Sequence, residues 1–135
     1  MAIRPIAAYI DTSLLIHVRF EEAGRRFARR IEAYDHLFSA ELLLAEMYAF
    51  AMREGVDRVD VLEAVNGISW VIPDRPLAGE LARVIEQKYV RGADLWHLAC
   101  ACYLSPVSES VAFLTRDSVQ LQIAHRLGLQ TPEFV

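Results

Sequence analysis

Four acidic side chains in this sequence have types and positions that would let them act together on a metal ion. They are Asp11, Glu46, Asp94 and Asp117. Glu46 is the least ordinary of them, because it lies within AELLLAEMYAF, residues 40 to 50, which is otherwise almost wholly apolar. An isolated charge is costly to bury and normally has a partner or a metal ion. The stretch therefore predicts a partner for Glu46 elsewhere in the chain.

The three aspartates stand after predicted strands or at the start of predicted helices. Asp11 directly follows the apolar run at 6–10. Asp117 follows a second such run, VAFLT, after one intervening residue, and Asp94 opens an apolar helix. Ligands of open α/β sheets bind beyond the carboxyl ends of the strands, so these acids could meet at one edge. Aspartate is also a preferred helix N-cap, and capping remains the alternative for each of the three.

Four carboxylates in one pocket would repel one another, and their pKa values would rise unless a cation held them together. Oxygen ligands suit hard cations such as Mg²⁺ or Mn²⁺. Such an ion can activate water and stabilise charge on a phosphoryl oxygen, and two ions roughly 4 Å apart can clamp a phosphodiester displacement. The hydroxyls of Ser13 and Thr115 stand beside two of the acids. They could orient a carboxylate, although capping or packing explains them equally well.

Short apolar strands alternate with helices from one end of the sequence to the other. The predicted strands are 6–10, 36–39, 68–72, 111–115 and a short last one at 129–131. The predicted helices are 12–34 (with a break near Phe20 left open), 40–54 capped by Ser39, 57–67, 76 to about 90, 92–104 capped by Asp94, and one from Asp117 to before Gly128. This alternation is typical of an α/β fold whose parallel sheet is covered by helices. Without repeats or a long linker, residues 1–135 are predicted to form a single domain.

Composition restricts the class of protein further. A length of 135 residues suits one domain. The net charge of −4 argues against a general nucleic-acid coat, which needs a basic face. It does not argue against an enzyme that handles nucleic acid through a metal-filled acidic pocket. A hydrophobic content of 54% is high for a small chain and predicts apolar surface for a partner, so we expect a homodimer.

The sequence also predicts where the protein resides. Cys100 and Cys102 lie two residues apart in a predicted helix, so their side chains diverge and a disulfide between them is disfavoured. Free thiols are typical of the cytosol. The apolar run near the N-terminus is too short for a signal peptide, and no stretch reaches the roughly 20 apolar residues of a membrane span. We expect a soluble, cytoplasmic protein.

Four stretches of the sequence carry a resemblance to a known family. They are YIDTSLLI at 9–16, SAELLLAEMYAF at 39–50, VRGADLWHLACACYL at 90–104 and FLTRDSVQLQIAHRLGL at 113–129. In order and spacing they resemble the four acidic motifs of PIN-domain ribonucleases, and the compact chain looks most like the VapC toxins of bacterial toxin–antitoxin pairs. The resemblance covers nearly the whole chain. The sequence departs from the family at Trp96, where the third motif usually has a small residue.

The resemblance implies a three-layer α/β/α domain with a central parallel sheet of about five short strands. It implies metal-binding and catalytic roles for the acids at positions 11, 46, 94 and 117, and supporting roles for Ser13 and Thr115. The implied activity is Mg²⁺-dependent (or Mn²⁺-dependent) cleavage of RNA. The implied partner is a small VapB-like antitoxin that blocks the pocket.

Two further features are interpreted as mainly structural. His97 lies three residues after Asp94 on the same helix face. It could carry a proton or orient that acid, but a structural role is favoured because Mg²⁺ sites seldom recruit imidazole. The basic cluster RRFARR of residues 25–30 is interpreted as a solvated helix face. The alternative is that Arg29 and Arg30 contact RNA phosphate or an acidic antitoxin.

Other proteins with a strand ending in aspartate fit less well. A haloacid-dehalogenase-type phosphatase needs a second aspartate two residues after the first, where this chain has Ser13. A receiver domain of the two-component type needs an acidic pair after its first strand, which is also missing. The remaining alternative is a PIN-fold module that binds RNA or protein without cleaving. The complete set of acids weighs against it.

Overall fold

The computed structural model describes residues 7–105 and 111–135. The described strands are β1 (Ala7–Ile10), β2 (His36–Ala40), β3 (Ile68–Val71) and β4 (Val111–Leu114). The helices are α1 (Thr12–Phe20), α2 (Ala28–Glu32), α3 (Glu41–Glu54), α4 (Arg58–Ala64), α5 (Ala78–Gln87), α6 (Gly92–Leu104) and α7 (Ser118–Arg126), with a 3-10 helix at Glu22–Phe27. Ile6, the first residue of the predicted strand 6–10, lies outside the described residues. None of the helices in these two ranges is long and apolar enough to span a membrane.

The described strands form one parallel sheet in the order β3-β2-β1-β4. The prediction of an α/β fold with a parallel sheet is confirmed, although the described residues form four strands of this sheet rather than five. The predicted fifth strand at 129–131 contributes only one bridge, between Gln130 and Ala112. Gln130 accepts a backbone hydrogen bond from Phe113 (2.8 Å) and donates one to Val111 (3.0 Å).

Residues of the central strands alternate between two apolar clusters, one on each face of the sheet. Tyr9 and Phe113 pack with α5, α6 and α7. Ile10 and Leu114 pack with α1, α3 and α4. Each of these four side chains is fully buried and contributes roughly 1.5–3 kcal/mol to the free energy of folding. Because successive strand residues point to opposite faces, a continuous apolar strand needs helices on both sides, which gives three layers.

The predicted helix 12–34 is divided, and the break that the sequence left open near Phe20 is found at Glu21. At Glu21 the backbone is extended (φ −113°, ψ 132°), and the chain continues as the 3-10 helix and then α2. Gly24 lies so close to the end of α1 that a Cβ atom there would be 2.0 Å from the carbonyl oxygen of His17. Glycine thus permits a tight corner after α1.

Three predicted helix starts also differ from the structure. Ser39 does not cap α3; its hydroxyl instead donates to the carbonyl of Ile10 at 2.8 Å. Asp94 is not the N-cap of α6 but lies in its first turn, after Arg91 in the capping position, where the helix dipole still favours a negative charge. The helix predicted from residue 76 to about 90 is the shorter α5.

Candidate active site

Asp11 lies at the carboxyl edge of the sheet, between β1 and α1. Its backbone N–H donates to the carbonyl of Leu114 at 3.1 Å, which places it beside Thr115. One carboxylate oxygen accepts from the Leu14 N–H at 3.0 Å and caps α1; the other accepts from the Ser13 and Thr115 hydroxyls at 2.9 and 2.7 Å. Burial raises the pKa of Asp11, although these hydrogen bonds and the nearby His97 act in the opposite direction.

The partners of Glu46 are an imidazole and a hydroxyl rather than another acid. Its Oε1 accepts from the Thr12 hydroxyl at 2.7 Å and lies 2.9 Å from Nε2 of His97. Partial burial acts to raise the pKa of Glu46, but the hydrogen bonds from His97 and Thr12 outweigh it and lower that pKa below its ordinary value. Glu46 is therefore held as a carboxylate.

Tyr9 contacts the Nδ1 side of the His97 imidazole. The Tyr9 hydroxyl lies 2.6 Å from Nδ1 of His97 and accepts a hydrogen bond from the Ala40 N–H at 3.1 Å. The two rings meet edge to face, and Tyr9 stacks on Phe113. Burial keeps the pKa of Tyr9 well above its ordinary value, so the hydroxyl keeps its proton. The position of His97 between Tyr9 and Glu46 gives it a direct connection to the site.

Asp94 and Asp117 are brought together by the first turn of α7. Asp117 caps α7, accepting from the backbone N–H groups of Val119 and Gln120 at 2.8 and 2.9 Å. The side-chain amide of Gln120 donates to Asp94 at 2.7 Å. Burial, followed by the charges of Asp117 and Glu46, raises the pKa of Asp94, while His97 and Arg91 act to lower it. Asp94 thus lies within electrostatic range of two other acids.

The donor chemistry of these residues fits a hard divalent cation. Glu46, Asp94 and Asp117 each use only one carboxylate oxygen in the hydrogen bonds of the described residues, so each has a second oxygen available as a ligand. Even so, within residues 7–105 and 111–135 no three His, Cys, Asp or Glu side chains are gathered closely enough to hold a metal ion. The acids supply suitable ligands without a preformed coordination shell.

Three polar contributors to this region were missed by reasoning from the sequence. They are Tyr9, Thr12 and Gln120. A signal existed for Tyr9, because a tyrosine in a strand buried on both faces needs a partner for its hydroxyl. Thr12 and Gln120 lie beside predicted acids, but nothing in their spacing indicates which acid each one contacts.

The two arginines predicted to contact RNA or an antitoxin lie on α2, where one has a partner inside the chain. Arg30 donates to the carbonyl of Glu133 at 2.9 Å and lies 4.1 Å above the ring of Phe134. Phe134 itself is 2% exposed and packs edge to face on Phe27. Arg29 is exposed. Arg30 therefore stabilises the C-terminal segment.

A cleft of about 890 Å³ lies away from these acids. It is lined by residues of α1, α2, α4 and the connections before and after α4, including Arg19, Glu32 and Asp57. None of the four candidate acids borders it. The hydrogen-bonded side chains at the carboxyl edge of the sheet are therefore a better candidate site than this cleft, because they combine perturbed carboxylates with the strand ends where α/β proteins bind ligands.

Comparison with protein families gives a match for this chain. Residues 8–126 match the sequence pattern of the PIN domain family. Comparison with curated proteins and with solved structures returned no significant match. The matched segment contains all four acids and most of the 135 residues. PIN domains have a nuclease-type fold and are usually metal-dependent nucleases. The chain belongs to the PIN domain family.

Proposed function

We propose that the protein is a metal-dependent endoribonuclease and the toxin of a toxin–antitoxin pair. The observation that carries the proposal is the state of Asp11. The residue is 2% exposed, yet within the described residues the donors to its carboxylate are all neutral and no salt bridge reaches it. A buried carboxylate without a cationic partner is unfavourable. A divalent cation would supply the missing charge.

The proposed ligands are Asp11, Glu46, Asp94 and Asp117, and the proposed ion is Mg²⁺ or Mn²⁺. When bound, such an ion lowers the pKa of water and stabilises negative charge on phosphoryl oxygens. In the reaction, the oxygen of water would form a bond to phosphorus while one P–O ester bond of the scissile RNA phosphodiester breaks, and the departing ribose oxygen would gain a proton to become a hydroxyl. Ser13 and Thr115 both donate to the same carboxylate oxygen of Asp11 and so restrict how that carboxylate can turn.

The alternative is a PIN-fold module that binds RNA or protein without cleaving. A protein without catalytic activity has no need to keep a desolvated carboxylate at this edge of the sheet. The complete set of four acids, each with its own hydrogen-bond donors, therefore supports the nuclease over the silent module.

Cleavage of RNA by protein freed of any partner tests the activity. We expect cleavage only when Mg²⁺ or Mn²⁺ is added, and Asp11→Asn should reduce its rate by about a hundredfold or more. Asp57→Asn is a matched control, because Asp57 is an exposed N-cap residue of α4 whose side chain makes no capping hydrogen bond. Cleavage that persists in EDTA would exclude the metal mechanism. Bound but uncut RNA would favour the silent module.

Separate substitution of Arg29 and Arg30 tests their proposed contact with RNA phosphate or an acidic antitoxin tail. Arg29→Gln should weaken RNA binding and leave the free energy of unfolding unchanged. Arg30→Gln should also lower that free energy by about 1 kcal/mol, because its contacts with Phe134 and Glu133 are lost. Equal RNA affinity in both variants and the wild type would show that these two residues of α2 do not contribute to RNA binding.

The same proposal includes a homodimer and an antitoxin partner. We propose that the whole chain, residues 1–135, is one cytoplasmic PIN domain that forms a homodimer and binds a small VapB-like antitoxin. A short reading frame beside this one should encode a protein that co-purifies with it. Light scattering should give the mass of a dimer at micromolar concentration. A clean monomer would contradict the homodimer, and neighbouring frames without a binding partner would favour a stand-alone nuclease.

A further inference from the structure

Glu46 is connected to the protein core by a chain of hydrogen bonds. These hydrogen bonds link the Ala40 N–H to the Tyr9 hydroxyl, the Tyr9 hydroxyl to His97, and His97 to Glu46. Tyr9 is 0% exposed and His97 2%, whereas the side chain of Glu46 is 35% exposed. The series therefore leads from the core to a carboxylate that solvent and ligands can reach.

The chemistry of the participating groups determines which atom donates and which accepts in each of these hydrogen bonds. A backbone N–H can only donate, so the Tyr9 oxygen accepts from Ala40. Its own proton is then free to be donated to Nδ1 of His97, 2.6 Å away. A neutral imidazole that accepts at Nδ1 carries its proton on Nε2. Nε2 can therefore donate to Oε1 of Glu46 at 2.9 Å, because a carboxylate only accepts.

The geometry points to His97 as a positioning residue for Glu46, with Tyr9 selecting the tautomer that has its proton on Nε2. This inference rests on the proposed function, since it concerns how Glu46 is presented to a cation. Oε1 receives donors from both His97 and Thr12. Oε2 accepts no hydrogen bond from the described part of the chain. Oε2 is thus the oxygen left to act as a ligand, and its direction is set by the bonds to Oε1.

The Tyr9 ring also limits how His97 can turn. It stacks on Phe113 with nearly parallel planes (5°) and meets the imidazole edge to face, with ring centroids 5.7 Å apart in both pairs. Thr12 Oγ1 lies 3.2 Å from Nε2 and fixes the other side of the imidazole. Hydrogen bonds that orient a metal-ligating side chain typically change metal affinity or activity by 10- to 100-fold when removed.

Binding of Mn²⁺ to RNA-free protein, measured by calorimetry, tests this role without relying on activity. His97→Asn should weaken Mn²⁺ binding by about 10- to 100-fold, because its amide is too short to reach Glu46. His97→Gln should stay within about threefold of wild type, because its longer amide can donate from the position of Nε2. Tyr9→Phe keeps the stacked ring and should weaken binding by about three- to tenfold.

Two control variants carry the same substitutions elsewhere. His17→Asn alters a second buried histidine that is also paired with a glutamate, Glu21, at 2.6 Å. Tyr103→Phe removes a hydroxyl that donates to Asp74 on the surface. Neither should change Mn²⁺ affinity. Thermal unfolding of each variant separates loss of the fold from loss of positioning. Wild-type Mn²⁺ affinity in folded His97→Asn would overturn the proposal.

The tautomer can be read directly from ¹⁵N chemical shifts of the imidazole in metal-free protein. We expect the proton of His97 on Nε2 in the wild type and a mixture of tautomers in Tyr9→Phe. A proton on Nδ1 of the wild type, with or without one on Nε2, would overturn the proposal even if His97→Asn fails to fold.

The outcomes also distinguish this inference from the proposed function. If Mn²⁺ affinities and the tautomer follow the expected order but no RNA is cleaved, the endoribonuclease proposal fails and the positioning role stands. If metal-dependent cleavage is found but His97→Asn and Tyr9→Phe bind Mn²⁺ and cleave as the wild type does, the positioning role fails alone. Absence of Mn²⁺ binding in the wild type would overturn both.

Discussion

Asp11 combines two roles that place different demands on its charge. As the N-cap of α1 it needs only an acceptor for the Leu14 N–H, which asparagine supplies about as well as aspartate. As a buried carboxylate it also carries a desolvation cost, which is the main reason its pKa is raised. The Ser13 and Thr115 hydroxyls can rotate to accept from an amide. Replacement by asparagine should therefore retain the hydrogen bonds and remove the charge.

Asp11→Asn should consequently stabilise the metal-free protein while greatly reducing its rate of RNA cleavage. A carboxyl whose folded pKa is raised contributes stability below its ordinary pKa, and this contribution is lost as pH rises through the raised value. The stability of the variant relative to wild type should thus increase as pH rises above about 4, reaching on the order of 1 kcal/mol at pH 7. Urea unfolding in EDTA between pH 4 and pH 8 measures this. The result is contradicted if the variant is less stable than wild type at every pH.

Gln120 offers a second test at the level of a single side chain. Its amide donates to Asp94, while its Oε1 is buried without a partner in the described residues, which is unfavourable by itself. Gln120→Leu should therefore leave the free energy of unfolding nearly unchanged, yet weaken Mn²⁺ binding by about tenfold because Asp94 is no longer held. Gln122→Leu on the exposed side of α7 is the control. Equal Mn²⁺ affinities in the two variants would show that Asp94 does not depend on Gln120.

Among the helices and strands, the corner after α1 depends on one glycine. A Cβ at Gly24 would meet the backbone of His17, which cannot move without shifting α1. Gly24→Ala should cost at least about 1–3 kcal/mol in unfolding free energy, as overpacking usually does. Gly79→Ala in α5 meets nothing within 4 Å and should instead stabilise by roughly 0.5–1 kcal/mol. Thermal unfolding of both variants should give shifts of opposite sign; similar shifts would contradict the proposed clash.

The segment after α1 also shows which features of the fold could be predicted from the sequence and which could not. The strands at 36–39 and 68–72 were predicted to within one residue at each end, because their apolar runs and turn signals are local. A break near Phe20 could be left open from the sequence, but neither the close approach of Gly24 to His17 beyond it nor the pairing of Gln130 alone within the predicted fifth strand could be foreseen. Both depend on tertiary contacts that helical or strand periodicity does not encode.

The same distinction applies to the candidate site. The four acids could be identified from the sequence, because each follows a predicted strand or lies in an apolar stretch, and the neighbouring residues are enough to show this. Their partners could not be identified, since His97 is 51 residues from Glu46 and 88 from Tyr9. The expectation that Asp94 caps its helix was wrong because α6 begins two residues earlier, at Gly92. The donor that Asp94 does have, Gln120, is 26 residues away and could not be identified from the sequence.

At the scale of the whole molecule, the candidate ligands come from both helical layers. Glu46 belongs to α3, which packs in the cluster of Ile10 and Leu114, whereas Asp94 belongs to α6 on the opposite face of the sheet. Asp11 lies between them at the end of β1. A cation that binds these acids would therefore link the two layers through the edge of the sheet and stabilise the entire fold rather than one loop.

Mn²⁺ should accordingly raise the midpoint of thermal unfolding of the partner-free protein. A ligand that binds only the folded state at about 100 times its Kd contributes about 2.7 kcal/mol, on the order of 10 °C for a domain of this size. The shift should be larger at pH 8 than at pH 5, because protons compete with the metal for the carboxylates and Asp94 has a raised pKa. Asp57→Asn should shift as the wild type does. If Asp11→Asn shows the same Mn²⁺-induced shift, the ion binds elsewhere, and the acids at the edge of the sheet are not the site that links the two layers.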